Sequence, residues 1–393
     1  MSLAVSQRCQ RVKPSPTMAV AAMAAELRAQ GRDILDLGAG EPDFDTPEHI
    51  KAAGIAAIRG GQTKYTPVEG TAALKTAIID KFRRENHLTY GPDQILVSCG
   101  AKQTCYNVCS ALLNPGDEAI VPAPYWVSYP DMIKLADAEP VIVAAMMEDG
   151  FKITPRLLEA AITPRTRLVF LNSPSNPTGA AYTRAELQAL GAVLEKHPDV
   201  VIAADDIYEH IYWASEPFVS FAQACPALYD RTVTINGVSK AYAMTGWRIG
   251  YAGGPKAIIG AMKKIQSQST SNPASISQAA SVAALNGDQT CVREMTKAFR
   301  ERHDYIVAAL NGVRGFKCLE SAGTFYAFPN VTDALRTKGL KDDLALSELL
   351  LNAGDVAVVP GSAFGAPGYL RLSFACSLET LKEAVRRITR VIG

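Results

Sequence analysis

The chain has 393 residues, enough for about two domains with ample core. Apolar residues make up 48% and charged residues 20%, and 40 Lys+Arg against 39 Asp+Glu leave a formal charge of +1. That balance excludes a disordered chain and a general polyanion binder, so no nucleic-acid partner is expected, and no apolar run reaches the ~18 residues of a membrane span.

In chain order, the first apolar stretch, Met18 to Ala25, follows Arg8, Arg11 and Lys13 much as in a signal peptide. It is alanine-rich and continues into Glu26, so an amphipathic helix is expected instead, with Thr17 as N-cap and Gly31 closing it. Short β-branched runs then recur between helical segments: Ile95–Ser98, Glu118–Val121, Val141–Val143, Arg167–Leu171, Val200–Ala204, Thr232–Ile235 and Arg248–Tyr251. This is α/β patterning, expected of a mostly parallel sheet covered on both faces by segments such as Arg184–Lys196. From about Pro273 the texture changes to long helical patterns, Ser275–Leu285 and Thr290–Asn311. Strand-like Phe325–Phe328, Val356–Val359 and Leu370–Phe374 follow, which predicts a second, α+β domain. The eight cysteines are scattered without a C-x-x-C pair, and Cys105 and Cys109 share one helical face. Neither a metal site nor a disulfide framework is expected, and the thiols fit a reducing cytoplasm.

In open α/β sheets, ligands sit beyond the carboxyl ends of the strands, so polar residues directly after apolar runs carry the most information. Asn176 follows Leu168–Leu171, Asp205 and Tyr208 follow Val200–Ala204, and Lys240 follows Thr232–Ile235. Singly they read as a turn, a strand-end cap and a solvated lysine; together they converge on one rim. Ser98-Cys99-Gly100-Ala101-Lys102 follows a strand and opens a helix running to Leu113, which suits a phosphate at the helix N-terminus. Arg248, eight residues beyond Lys240, offers a guanidinium fork for the same phosphate. No Walker loop or G-x-G-x-x-G is present, and Gly38-Ala39-Gly40 precedes Glu41-Pro42-Asp43 rather than a helix, so a nucleotide site is poorly supported.

Seven segments in order carry a family resemblance: Gly38–Phe44, Lys64–Gly70, Pro124–Tyr129, Asn176–Gly179, Asp205–Tyr208, Ser239–Arg248 and Tyr369–Phe374. The chain resembles the class I, fold-type I, pyridoxal-phosphate aminotransferases of the aspartate aminotransferase type. The resemblance implies an α/β fold with a large domain built on a mostly parallel seven-stranded sheet and a smaller α+β domain. It divides the chain into an N-terminal segment over 1–45 that is partly in the small domain, a large cofactor domain over 46–290 and a small domain over 291–393.

It also implies pyridoxal 5'-phosphate as cofactor, with Lys240 holding it as a Schiff base and shuttling the substrate's α-proton. Asp205 would pair with the ring nitrogen, Tyr208 and Asn176 would bond the 3' oxygen, and Trp126 would stack on the ring. Gly100, Ala101, Lys102, Ser239 and Arg248 would surround the phosphate, with Tyr65 reaching across from a second subunit, since the resemblance implies a homodimer with shared active sites. One departure is Gly237, where many relatives carry a phosphate-binding serine. Arg371 and the backbone of Gly40 would take the substrate's α-carboxylate.

The substrates implied are amino acids and 2-oxo acids, in cytoplasmic amino-acid metabolism. The arginine that animal and enteric-type aspartate enzymes place before Ser-Asn-Pro is missing ahead of Ser271-Asn272-Pro273. The chain is more similar to a bacterial and plastid branch that uses the lysine at Lys102, and some members of that branch also transaminate prephenate. There the lysine and threonine of the N-terminal motif, here Lys13 and Thr17, are implicated. Aspartate with 2-oxoglutarate is therefore the expected pair, with prephenate as a second acceptor. An aminotransferase for uncharged or aromatic amino acids, and a lyase or decarboxylase of the same fold, are the alternatives.

Overall fold

A computed structural model describes residues 4–14 and 16–393 of the chain. Two helices, Gln7–Gln10 and Pro16–Ala29, open it. The second begins at Pro16, whose fixed φ suits a first helical turn, so Thr17 lies inside the helix and not at its N-cap. Gly31 closes the helix at φ +87°, as expected. The apolar stripe is narrow because alanine dominates it: Ala24 alone is fully buried, with Val20 and Leu27 partly buried beside Leu351 and Ala357.

A short strand β1 (Leu35–Asp36) follows, and then the strands of the large sheet: β2 (Ile95–Ser98), β3 (Glu118–Ala123), β4 (Glu139–Ala144), β5 (Thr166–Asn172), β6 (Val201–Asp205), β7 (Thr232–Gly237) and β8 (Gly250–Gly253). Their order across the sheet is β2-β8-β7-β6-β5-β3-β4, and only β8 runs antiparallel to its neighbours. Every residue of β2 and β7 is buried, which explains why these strands read as continuous apolar or β-branched runs. Alternate side chains serve opposite layers. Leu96, Phe170, Ala203 and Ile235 pack with the helix Ala101–Leu112, while Val97, Ile120, Val169 and Ile202 face the other way, toward helices such as Ala72–Asn86 and Arg184–Leu194.

The smaller α+β domain holds β9 (Tyr326–Ala327), β10 (Val356–Ala357), β11 (Val359–Pro360) and β12 (Leu370–Ser373). The expected single strand over Val356–Val359 is two: β10 pairs in parallel with β1, while β11 turns to pair antiparallel with β12. Phe299, on the helix Thr290–Asn311, meets Phe325, Phe374, Ile388 and also Leu37 in one core, each large side chain contributing about 1.5–3 kcal/mol on burial. Leu37 N–H donates to Ala357 O at 2.9 Å, so the N-terminal segment is stitched into this layer. Among the described residues, no helix is long and apolar enough to cross a membrane.

Candidate active site

The carboxyl ends of the parallel strands bring the expected residues together. The ladder places Asn172 opposite Asp205, Asp205 opposite Ile235, and both Ser98 and Gly237 opposite Gly250, so β2, β5, β6, β7 and the start of β8 share one rim. Asp205 ends β6, buried, and accepts from Tyr129 Oη at 2.6 Å and from the Ile207 N–H at 3.2 Å. Burial pushes its carboxyl up from the usual range, opposed by those two donors and by the charge of Lys240. Tyr208, on the turn after β6, shares a 3.0 Å hydrogen bond with the hydroxyl of Tyr326, and burial pushes its phenol well up.

Lys240, three residues beyond β7, donates from Nζ to Gly40 O at 2.6 Å and lies 5.9 Å from the ring centres of Tyr208 and Phe325. Burial, reinforced by the charges of Arg371 and Arg248 against those of Glu41 and Asp205, lowers its amine to about 8. Arg371 on β12 is 2% exposed. Its Nη1 donates to Asn176 Oδ1 at 3.0 Å, its Nη2 to Gly38 O at 2.7 Å, and its guanidinium lies over the rings of Tyr326 and Phe364, 4.4 and 4.9 Å from their centres. Its buried Nε has no partner among the described residues, and burial lowers its basicity without removing its charge.

The second end of the rim is built for an anion. Gly100 caps the helix Ala101–Leu112 at φ +86°, and a Cβ there would sit 2.3 Å from Arg248 Nη2. A Cβ on Gly250 would fall 2.1 Å from Ala101 N. Bare Cα atoms at these two positions let the helix start, with its outward N–H groups, meet the guanidinium of Arg248. Arg248 itself is left-handed at φ +55°, which corrects the expectation that β8 begins there; the strand starts at Gly250. Its side chain donates to Thr245 O at 2.8 Å and Cys99 O at 3.4 Å. Lys102 Nζ lies 5.0 Å from the centre of the Trp126 ring, and partial burial, followed by the charge of Arg248, lowers its basicity.

Two cationic groups, Lys102 and Arg248, at a helix N-terminus, with a depressed lysine amine and a buried carboxylate on the same rim, fit a phosphorylated aldehyde with a basic ring nitrogen. Ser239 is buried directly before Lys240. At Gly237 a Cβ would lie 3.0 Å from both Ile207 Cδ1 and Ile249 O, so a serine at that position has little room in this chain.

Tyr65, in contrast, stands 93% exposed beyond the helix Glu48–Arg59. Lys13 is also exposed, and its charge acts on Asp131 of the helix Ser128–Leu135; Thr17 is partly buried in the helix Pro16–Ala29. Tyr129, Tyr326, Gly38 and Phe364 also belong to the site; Tyr129 and Gly38 fall within the family-like segments Pro124–Tyr129 and Gly38–Phe44, which give them no role, and nothing in the sequence marks Tyr326 or Phe364.

The sequence model of the family described as aminotransferase class I and II matches residues 32–388. The chain is 58% identical over 395 residues to the aspartate/prephenate aminotransferase of Nitrosomonas europaea, covering 99% of this chain and 100% of the relative. It is 55% identical over 389 residues to the aspartate/prephenate aminotransferase of Cereibacter sphaeroides, covering 98% and 97%. Among solved structures, the aspartate aminotransferase of Rhizobium meliloti superposes with a TM-score of 0.96 at 49% identity, covering 100% of this chain and 99% of that one. The Thermus thermophilus aspartate aminotransferase with maleate follows at 0.93 and 44%, covering 99% and 100%. With the family model spanning most of its length and relatives this similar end to end, the chain belongs to the class I and II aminotransferases.

Proposed function

We propose that this aminotransferase moves the amino group between aspartate and 2-oxoglutarate and accepts prephenate as a second oxo acid. The observation that carries the reading is a lysine amine lowered to about 8 on the same rim as a buried carboxylate, a buried arginine and an anion cradle. Pyridoxal phosphate is the cofactor, and it supplies a carbonyl to carry the amino group and a ring that accepts electrons. Lys240 holds it covalently and, once free, takes the substrate's α-proton at Nζ; an amine near 8 is poised for that exchange at neutral pH. Asp205, fixed by Tyr129 and the Ile207 N–H, keeps the ring nitrogen protonated. Tyr208 and Asn176 would bond the cofactor's 3' oxygen, Trp126 would cover its ring, and Gly100, Ala101, Lys102, Ser239 and Arg248 would hold its phosphate.

Arg371 binds the α-carboxylate together with the backbone near Gly40, and its charge is already oriented by Asn176 and Gly38. Lys102, resting over Trp126, would meet the distal carboxylate, and Lys13 and Thr17 of the N-terminal segment are the further residues assigned to the substrate. Two relatives at 58% and 55% identity carry both aspartate and prephenate in their names, which supports the pair of substrates. The protein works as a homodimer whose second subunit supplies Tyr65: a tyrosine 93% exposed, beyond a helix with half-exposed Ile55 and Ile58, lacks packing in its own chain. We place the reaction in the cytoplasm because all eight cysteines are unpaired thiols, four of them buried.

The test is turnover of the purified holoenzyme with aspartate, alanine and phenylalanine as donors against 2-oxoglutarate and prephenate. Aspartate should lead with both acceptors. Alanine or phenylalanine matching it would overturn the dicarboxylic assignment, and Lys240→Ala retaining turnover would overturn the assigned machinery.

A further inference from the structure

Next to the rim lies a buried polar cluster to which the proposed reaction assigns no role. Lys81, on the helix Ala72–Asn86, is 0% exposed. Its ammonium donates to Asn86 Oδ1 at 2.7 Å and to Glu209 Oε1 through a short contact. Glu209 also accepts from Asn86 Nδ2 at 2.7 Å and from Asn236 Nδ2 at 2.7 Å. Asn236 further donates to Asp206 O at 3.3 Å, and the Glu209 N–H to the same carbonyl at 2.9 Å. Around this net, Glu85 lies 3.7 Å from Lys81 and accepts from His210 Nε2 at 2.9 Å, while Asp206 is buried with its Oδ2 unpartnered among the described residues. Glu85, Glu209 and His210 bring their ligand atoms within 4.8 Å of one another, as a cation site would. The Lys81 ammonium already supplies the positive charge there, so the cluster needs no ion.

What the cluster joins is informative. Glu209 belongs to the turn that carries Asp205 and Tyr208, and Asn236 lies on β7, four residues before Lys240. A single carboxylate therefore ties a surface-layer helix to both segments that deliver the reacting groups. Such a buried pair adds little net stability over apolar residues of similar size, because desolvating two charges offsets most of their attraction. Its directional hydrogen bonds do fix geometry.

We propose that Lys81 is a positioning residue: through the Glu209 carboxylate it locks the turn bearing Asp205 and Tyr208 against the strand that delivers Lys240. This rests on the assignment of those three residues to the reaction.

The experiment is the paired variant Lys81→Met/Glu209→Gln in the full-length holoenzyme, which removes both charges and so leaves neither buried alone. Thermal stability should stay near wild type. With aspartate, kcat should fall roughly ten- to a hundred-fold at little changed KM, the scale of loss when reacting groups are slightly misplaced. The pH midpoint of the bound cofactor's visible absorbance should also move. If the paired variant does not fold, Glu209→Gln alone carries the same readouts, because Glu85, 3.7 Å from the Lys81 ammonium, remains as its ionic partner. Wild-type kcat and an unmoved midpoint in the folded variant, with or without a lower melting temperature, would overturn the positioning role. Retained turnover in Lys240→Ala would instead strike the underlying assignment, so the two failures are distinguishable.

Discussion

At the scale of single residues, Lys240 has a definite pH signature. An ordinary lysine amine titrates at 10.5, whereas burial brings this one to about 8, so its neutral form prevails above that pH. Only the neutral amine attacks a carbonyl. When apoenzyme is reconstituted with pyridoxal phosphate, the rate of colour development should therefore rise with pH and level off just above 8; a rise continuing to about 10 would show an unperturbed lysine. Two roles for Lys102 can be told apart by specificity. If its ammonium meets the distal carboxylate, a charge-assisted contact of about 1.5–3 kcal/mol is at stake. Lys102→Ala should then lower kcat/KM for aspartate roughly ten- to a hundred-fold and leave alanine little changed. The competing role, a cation beside Arg248 at the phosphate end, predicts equal losses for both donors with weakened cofactor retention, so the ratio of the two effects discriminates.

At the scale of elements, the meeting of β8 with the helix Ala101–Leu112 is the tightest constraint on the anion cradle. Gly250→Ala puts a methyl 2.1 Å from Ala101 N and 2.4 Å from Gly100 C, contacts that only backbone movement can relieve. Overpacking of this kind costs about 1–3 kcal/mol, and here it displaces the helix start as well. The variant should fold with a lower melting temperature and lose pyridoxal phosphate on dialysis; full retention would show that the cradle lies elsewhere. The inner strands of the large sheet were legible in the sequence because both their faces are buried, which leaves the apolar run as their mark; the edge strand β4, with Ile142 43% exposed, showed only its β-branched Val141–Val143. Asn176, Asp205, Tyr208 and Lys240 were legible because strand ends collect polar residues. The left-handed Arg248 and the division of Val356–Val359 between two sheets were not, since each follows from a neighbour's position and not from local periodicity. The same limit hid the 2.6 Å bond of Tyr129 to Asp205, 76 residues away, and the pairing of Lys81 with Glu209, 128 residues away.

At the scale of the whole molecule, the rim draws its groups from both layers. Arg371 comes from β12 of the small domain, whereas Lys240 and Asp205 come from the large sheet, and Tyr208 joins them through its hydroxyl contact with Tyr326 of β9. One group stands apart from this single-chain design. Tyr65 is 93% exposed, an unusual state for a large aromatic side chain unless another surface covers it. The proposed twofold dimer, carrying each Tyr65 into the opposite site, would provide that surface and complete the phosphate shell from outside the chain. The arrangement is testable by complementation. Tyr65→Ala should bind the cofactor weakly and turn over slowly, and Lys240→Ala should be inactive. After subunit exchange, half of the dimers are hybrids, and each hybrid holds one site with both lesions and one site with neither. Activity should thus recover to roughly a quarter of wild type on statistical exchange. No recovery once exchange is verified by differently tagged subunits would place Tyr65 outside the partner's site, and sedimentation of a stable, fully active monomer would remove the shared site altogether.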